Sequence, residues 1–207
     1  MIRFLFPSVL LVLLILPNPG SAQWVNLFAG EHLSAWRASE NPQTFQLSEG
    51  NLTVHGPRAH LFYEGPLAGH DFKDFELKVQ VMTYPQANSG VYIHTDFLEK
   101  AWPAKGYEIQ VNNSQSDWRR TASLYNIVDV AEVFVPDQAW FELHISVKGK
   151  RIVTRIDGIT VVDYTEPANP LRKEGQMERK LSSGTIAIQG HDPNSKVQYR
   201  DLMVRID

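Results

Sequence analysis

Glu108, Gln110 and Asn112 stand at alternate positions of the run Gly106-Tyr107-Glu108-Ile109-Gln110-Val111-Asn112-Asn113. Side chains alternate between the faces of a strand. Tyr107, Ile109 and Val111 therefore form one apolar face, and the carboxylate and two amides form the other. A carboxylate flanked by hydrogen-bonding groups on a rigid strand suits sugar binding and acid/base chemistry. It equally fits an antiparallel strand with one solvated face. Partial burial among apolar neighbours would raise the pKa of Glu108 and fit it for proton transfer.

Other chemistries are poorly served. A retaining glycosidase needs two carboxylates roughly 5 Å apart, and a Glu-x-Asp-x-x-Glu strand is absent here. Gln110 and Asn113 occupy the places where the second and third acids would fall. Asp96, Asp129 or Asp192 would have to be brought in from elsewhere. The chain has seven histidines but no His-x-x-x-His pair on a helix, so a helical zinc motif is missing. His94 and His191 both fall at strand ends among polar neighbours and could converge, either as ligands or as ordinary hydrogen-bonding groups. No Gly-x-Ser-x-Gly elbow is present. Of Trp36, Tyr92, Trp102, Trp118 and Tyr125, several lie in loops or on polar strand faces, where stacking on a sugar and plain packing are both natural uses.

These residues need a β scaffold. Helical periodicity is nearly absent after residue 22, and alternation with turn signals recurs, which predicts an all-β sandwich or barrel. Phe75–Thr83 is the clearest strand, with Phe75, Leu77, Val79 and Val81 on one face. Ser89–Thr95 follows a turn and pairs with it on this reading, Val91 and Ile93 facing the core and Tyr92 and His94 the other way. Phe45-Gln46-Leu47 and Asn51-Leu52-Thr53-Val54 form a hairpin. A short strand falls near Leu61–Tyr63. From Trp140 the chain reads as a meander, with a turn at Lys148-Gly149-Lys150 and a strong hairpin signal at Asp157-Gly158. Residues 165–183 lack any period, and a structureless connection of that length signals a functional loop. Thr185–Gln189 and Val197–Ile206 close the fold, with a bulge at Arg200-Asp201.

Composition bounds the setting. The 207 residues carry a formal net charge of −3 with no clustered basic patch, which argues against nucleic-acid partners. No cysteine is present, so disulfides, thiol nucleophiles and cysteine metal sites are excluded. Arg3, the apolar run Phe4–Leu16 and the small or breaking residues 17–22 have the layout of a secretory signal peptide cleaved after Ala22. The run is too short for a permanent membrane helix. The expectation is a signal segment, 1–22, and one domain, 23–207, with no membrane anchor after cleavage. Secretion without disulfides leans towards a bacterial periplasm.

Short motifs spread over nearly all of that domain resemble the 3-keto-disaccharide hydrolase family. They are Trp24-Val25-Asn26-Leu27-Phe28-Ala29-Gly30 with Leu33 and Trp36, then Asp74-Phe75-Glu76-Leu77, Asn88-Ser89-Gly90-Val91, Gly106-Tyr107-Glu108-Ile109-Gln110, Leu124-Tyr125, Ile156-Asp157-Gly158, Gly184-Thr185-Ile186-Ala187-Ile188-Gln189-Gly190-His191 and Tyr199-Arg200-Asp201. The resemblance implies a concanavalin A-like jelly-roll sandwich of two antiparallel sheets, acting on carbohydrates already oxidised at C3. Such a ketone acidifies the C2 proton, and the enolate can expel the C1 substituent before water adds back. By position, Glu108 and His191 become the proton-transfer candidates. Gln110, Gln189, Tyr125 and Arg200 would bind hydroxyls or the developing oxyanion, with Tyr92 and His94 lining the same face. A divalent cation could stabilise the enolate, although no ligand set stands out. The chain departs from the family at Ala122, where Gly is usual, which is expected to alter the substrate pocket. It departs again at Asp201, where Asn is usual beside Arg200. The alternatives to a 3-keto-glycoside hydrolase are a non-catalytic lectin-like module and a conventional endo-glucanase.

Overall fold

A computed structural model describes residues 23–28 and 32–206. The expected signal segment and Ala29-Gly30 of the opening motif lie outside the described residues. Thirteen strands run in chain order among the described residues: β1 (Val25–Asn26), β2 (Trp36–Ala38), β3 (Phe45–Ser48), β4 (Asn51–His55), β5 (Ala59–Tyr63), β6 (Phe75–Thr83), β7 (Ser89–Thr95), β8 (Tyr107–Val111), β9 (Phe141–Lys148), β10 (Arg151–Ile156), β11 (Ile159–Thr165), β12 (Thr185–Gly190) and β13 (Lys196–Ile206). They form two antiparallel sheets. The larger has the order β11-β10-β9-β6-β13-β4-β3, with β1 beside β13, and the smaller the order β2-β5-β12-β7-β8. This is the jelly-roll sandwich.

The sheets bury their facing sides. On β6 the alternate residues Phe75, Leu77, Val79 and Val81 are fully buried, while Glu76, Lys78 and Gln80 are half-exposed. Each such apolar side chain contributes roughly 1.5–3 kcal/mol. The smaller sheet answers with Leu61, Tyr63, Val91, Ile93, Ile109, Val111, Ile186 and Ile188. The tight turns follow local chemistry. Ser48 pairs with Asn51 across Glu49 and Gly50, both at positive φ, and Asp157-Gly158 repeats this between β10 and β11. A register shift between Arg200 and Met203 marks the bulge in β13.

One pairing differs from the sequence reading. β7 does not pair with β6: β6 lies between β9 and β13, whereas β7 lies between β12 and β8 in the other sheet. The Tyr84–Asn88 turn therefore carries the chain across the sandwich. The physical reason lies in the outer faces. That of β6 meets solvent, but every residue of β7 is buried, because loops roof the outer face of the smaller sheet.

That roofed face carries two rows of side chains. Register pairs link Phe62, Ala187, Tyr92 and Glu108 in one row, and His60 with Gln189 and Gly90 with Gln110 in the next. Phe62, Tyr92 and Ala187 form a small apolar cluster of their own, separate from the main core.

Candidate active site

Three loops and these rows enclose a cavity of about 280 Å³. Asn88, Tyr92, Glu108, Gln110 and Gln189 supply the strand-borne lining. Trp102–Ala104, Asp117 with Tyr125-Asn126, and Gly175-Gln176 with Arg179 supply walls from the loops. The rim indole of Trp102 is 40% exposed.

Glu108 sits at the centre and is buried. Its Oε1 accepts a hydrogen bond from Nε2 of Gln189 at 2.6 Å, and its Oε2 accepts one from the Tyr92 hydroxyl at 2.9 Å. The same Gln189 amide also donates to the Tyr92 oxygen at 3.1 Å. Arg179 brings a guanidinium nitrogen to 3.9 Å from Oε2. Burial pushes the Glu108 pKa up, against the opposing pull of Arg179, Tyr92, Gln189 and His191. The result is a carboxylate of raised proton affinity, as a base working near neutral pH requires. Its seat depends on Gly90, since a Cβ there would lie 2.8 Å from Oε1 and 3.1 Å from Cγ of Glu108.

His191 stands at the mouth. Its Nδ1 lies 2.6 Å from Oδ2 of Asp192. Asp192 also accepts from the Ser195 hydroxyl and from the backbone N–H groups of Asn194 and Ser195. Burial alone would raise its pKa, but the bonds from His191, Ser195 and Asn194 hold it below the usual carboxylate range. Asp192 is thus ionised and can only accept, so Nδ1 carries the proton and Nε2 is left for the cavity. The chain of contacts continues around the floor. Ser195 Oγ accepts from the Asn88 N–H, and Asn88 Oδ1 accepts from Gln110 Nε2 at 2.8 Å.

Two acceptors on this floor are unclaimed. The side-chain oxygens of Gln110 and Gln189 are buried without a hydrogen-bond partner among the described residues. An unpaired buried polar atom costs about 1–3 kcal/mol, so both sites favour a ligand rich in hydroxyl donors. On the opposite wall the Tyr125 ring lies between two guanidiniums, Arg119 at 4.8 Å and Arg179 at 5.5 Å from its centroid. The backbone N–H of Tyr125 donates to the Glu108 carbonyl, which fixes this wall to β8. Among the described residues no group of three or more His, Cys, Asp or Glu side chains is arranged to hold a metal ion.

The profile of the 3-keto-α-glucoside-1,2-lyase-like domain matches residues 23–205. The chain belongs to this family. Among curated proteins none matches the sequence significantly. A provisionally named glycosyl hydrolase from Parabacteroides distasonis superimposes with a TM-score of 0.74 at 18% identity, over 88% of this chain and 93% of that one. The carbohydrate-binding module CBM66 of Bacillus subtilis gives 0.57 at 9% identity, covering 83% and 95% of the two chains. The β-glucanase of Bacillus licheniformis gives 0.56 at 8% identity, covering 92% and 100%. At these identities the likeness is one of fold.

Of the residues picked out by sequence, the lyase-like domain gathers Glu108, Gln110, Tyr92, Tyr125, Gln189 and His191 at one cavity. It does not bring His94 there, and His94 does not converge with His191. His94 has φ 54, where β7 and β12 shift register between Thr185 and Ala187. The kink turns its ring towards Phe75, at 5.9 Å. Its Nδ1 accepts from the Ser182 N–H and its Nε2 donates to the Lys73 carbonyl, a structural role. Arg200 is also elsewhere. It projects from the outer side of β13 in the larger sheet, its guanidinium over the Trp140 ring at 4.2 Å. The neighbouring inward residues Val197 and Tyr199 set that parity. Asp96 pairs with Lys105 and Asp129 with Arg119, so neither supplies a second free acid.

Arg179 and Asn88 complete the site and were not assigned a role in it by sequence, and Asp192, considered there as a second acid, instead holds His191. The length of the 165–183 loop signalled function, but nothing local distinguishes Arg179 from Arg172, Lys173 or Lys180. Ala122, at the family's Gly position, is buried behind the site with φ 72 and lies off the cavity lining.

Proposed function

We propose that the protein cleaves the glycosidic bond of 3-keto-glycosides or 3-keto-disaccharides in the periplasm, by elimination followed by hydration. The observation that carries this reading is Glu108, a buried carboxylate of raised pKa without a second free acid beside it among the described residues. The other acid on the lining, Asp117, is tied to Arg119 at 3.1 Å. A pair of acids for nucleophile and proton donor is therefore lacking, while one base facing an acidified C–H suffices.

In this mechanism Glu108 takes the C2 proton of the bound keto-sugar. Negative charge develops on O3, where the Arg179 guanidinium opposes it. The C1–O1 bond breaks, and His191, entering the cycle as an imidazolium with its Nδ1–H on Asp192, gives the proton of its Nε2 to the departing oxygen. Water then adds to C1 of the enone, passing one proton to His191, while Glu108 returns a proton to C2. The products are the 3-keto-sugar and the free aglycone. Hydroxyls of the sugar satisfy the open oxygens of Gln110 and Gln189, and Trp102 offers its face at the rim.

The test is to incubate the purified protein with a 3-keto-glucoside and with its unoxidised parent, with and without chelator. Turnover of the keto compound alone is expected, and loss of that turnover with chelator would bring in a divalent cation. Binding of either compound without turnover would make the domain a lectin-like module, and cleavage of the parent would make it a conventional glycosidase. Glu108→Gln should keep the fold and lose on the order of 10²-fold or more in kcat. Full activity in that variant would sink the assignment.

A further inference from the structure

A buried carboxylate that this chemistry does not use stands behind the site. Glu166, directly after β11, is buried. Its Oε2 accepts from the Tyr107 hydroxyl at 2.5 Å and from the Leu181 N–H at 2.8 Å, and its Oε1 accepts from Lys150 Nζ at 3.0 Å. Arg172 closes the cluster. Its Nη2 donates to the hydroxyls of Tyr107 at 2.6 Å and Tyr164 at 3.2 Å, and lies 3.7 Å from Glu166 Oε2. Its Nε donates to the backbone carbonyl of Arg179 at 2.5 Å.

The connectivity gives this cluster a purpose. Glu166 and Arg172 lie on the outgoing limb of the loop between β11 and β12, and Arg179 and Leu181 on the returning limb. The shared partner, Tyr107, precedes Glu108 on β8 and projects from the opposite side of the sheet. The bonds of Glu166 to Tyr107 and to the Leu181 N–H, and of Arg172 to Tyr107 and to the Arg179 carbonyl, thus tie the two limbs to each other or to the strand that bears the base, while Lys150 and Tyr164 anchor the cluster to the β9–β10 turn and to β11. Freely hinged, a loop of this length would spread Arg179 over many positions. Clamped, it holds the Arg179 guanidinium 3.9 Å from Glu108.

We propose that Glu166 is a positioning residue for the site: through Tyr107, Leu181 and Arg172 it fixes the loop that places Arg179 over Glu108. The proposal rests on the assignment of Glu108 as the proton-transfer group. Its direct readout, however, is the ionisation of Glu108, which needs no substrate. The groups facing Glu108 are Tyr92 from β7, Gln189 from β12, His191 from the loop after β12, and Tyr125 and Arg179 from the walls. Those facing Glu166 are Tyr107, Lys150, Arg172 and the Leu181 N–H.

The experiment follows the Glu108 carboxyl by 13C NMR through a pH titration in the full-length protein, alongside the pH profile of kcat/KM. Arg179→Leu removes a positive charge and should move the Glu108 titration to higher pH. Glu166→Ala should do the same. The sign is diagnostic, because losing a negative charge at Glu166 would by itself move Glu108 the opposite way. The double variant should shift no further than Arg179→Leu, since the two changes act through one group. Glu166→Gln, whose amide oxygen still accepts from the Leu181 N–H, should show a smaller shift. The acid limb of kcat/KM should follow the titration, with at least a roughly tenfold fall for Glu166→Ala near neutral pH. Should Glu166→Ala not fold, Arg172→Met opens the same clamp at the Arg179 carbonyl. An unmoved Glu108 titration in Glu166→Ala or Arg172→Met, or fully additive shifts in the double variant, would overturn the proposal. Absence of turnover on any 3-keto-sugar would instead count against the proposed function and leave the titration result standing.

Discussion

Nδ1 of His191 and Oδ2 of Asp192 lie 2.6 Å apart, and all the other hydrogen bonds to Asp192 come from its own turn, at Asn194 and Ser195. The carboxylate therefore has one partner that faces the cavity, and it dictates which ring nitrogen carries the proton there. Exchange of the acid for an amide tests this directly. In Asp192→Asn the amide oxygen is retained by the backbone N–H groups of residues 194 and 195, which turns the NH2 towards His191. Nδ1 must then accept, the ring proton moves to Nε2, and the imidazolium loses its counter-charge. We expect kcat to fall on the order of 10²-fold with KM changed far less, and 15N NMR to report the exchanged tautomer. Wild-type kcat in this variant would remove Asp192 from the mechanism.

How much of this was legible in the sequence depends on what each feature requires. The faces of β6 and β8 follow from strict alternation, and the hairpins at Glu49-Gly50 and Asp157-Gly158 follow from backbone chemistry at positive φ. These are local. Sheet membership is not: β7 was read as the partner of β6 because the two are joined by a short turn, and only the two-sided burial of β7 reveals the crossing. Likewise Glu108 and Gln110 are on a polar face in either reading, and the loops 96–106 and 166–183 decide that this face is roofed. His94 obeys the alternation of β7 in sequence and breaks it in space, because one register shift reverses its side. Arg200 was carried by motif likeness alone, and parity on β13 sends it to the other surface. Arg179 arrives through tertiary bonds from Arg172 and Glu166, which leave no periodic trace.

Ala122 offers a test of a position where the chain departs from its family. Its φ of 72 lies in the left-handed region, where an L-residue costs roughly 1–2 kcal/mol relative to Gly. Its N–H donates to the Gln110 carbonyl and its carbonyl accepts from Thr154 Oγ1 at 2.8 Å, so neighbouring bonds hold the strained conformation in place. Because Ala122 does not line the cavity, Ala122→Gly should stabilise the protein by about 1 kcal/mol, less whatever its methyl contributes to packing. Denaturant unfolding should show a higher midpoint at unchanged slope, with kcat and KM as in wild type. A lower midpoint would mean that the packing of the Ala122 methyl outweighs the strain.

His60 sets a stability cost next to the site that pH should expose. Both ring nitrogens are buried without partners among the described residues, and the ring stands edge-on to Tyr92 and to Trp102, at 5.4 Å from each. Burial, reinforced by the charge of Arg58, lowers its pKa from 6.5 to about 4. Above pH 6.5 the ring is neutral in both the folded and the unfolded chain and contributes no pH dependence. Below that, the unfolded chain takes up a proton that the folded one refuses, so stability falls as pH drops towards 4. Over that interval the loss is roughly 3 kcal/mol, at about 1.4 kcal/mol per pKa unit. His94 and His144, both lowered chiefly by burial, act in the same direction and remain in the comparison. His60→Phe removes two unsatisfied atoms while keeping a ring of similar shape, so it should stabilise the protein at pH 7 by about 1 kcal/mol or more. It should also flatten the decline between pH 6.5 and 4 relative to wild type, as measured by denaturant midpoints across that range. Parallel declines in the two proteins would show that His60 is protonated in the fold and that its nitrogens have partners.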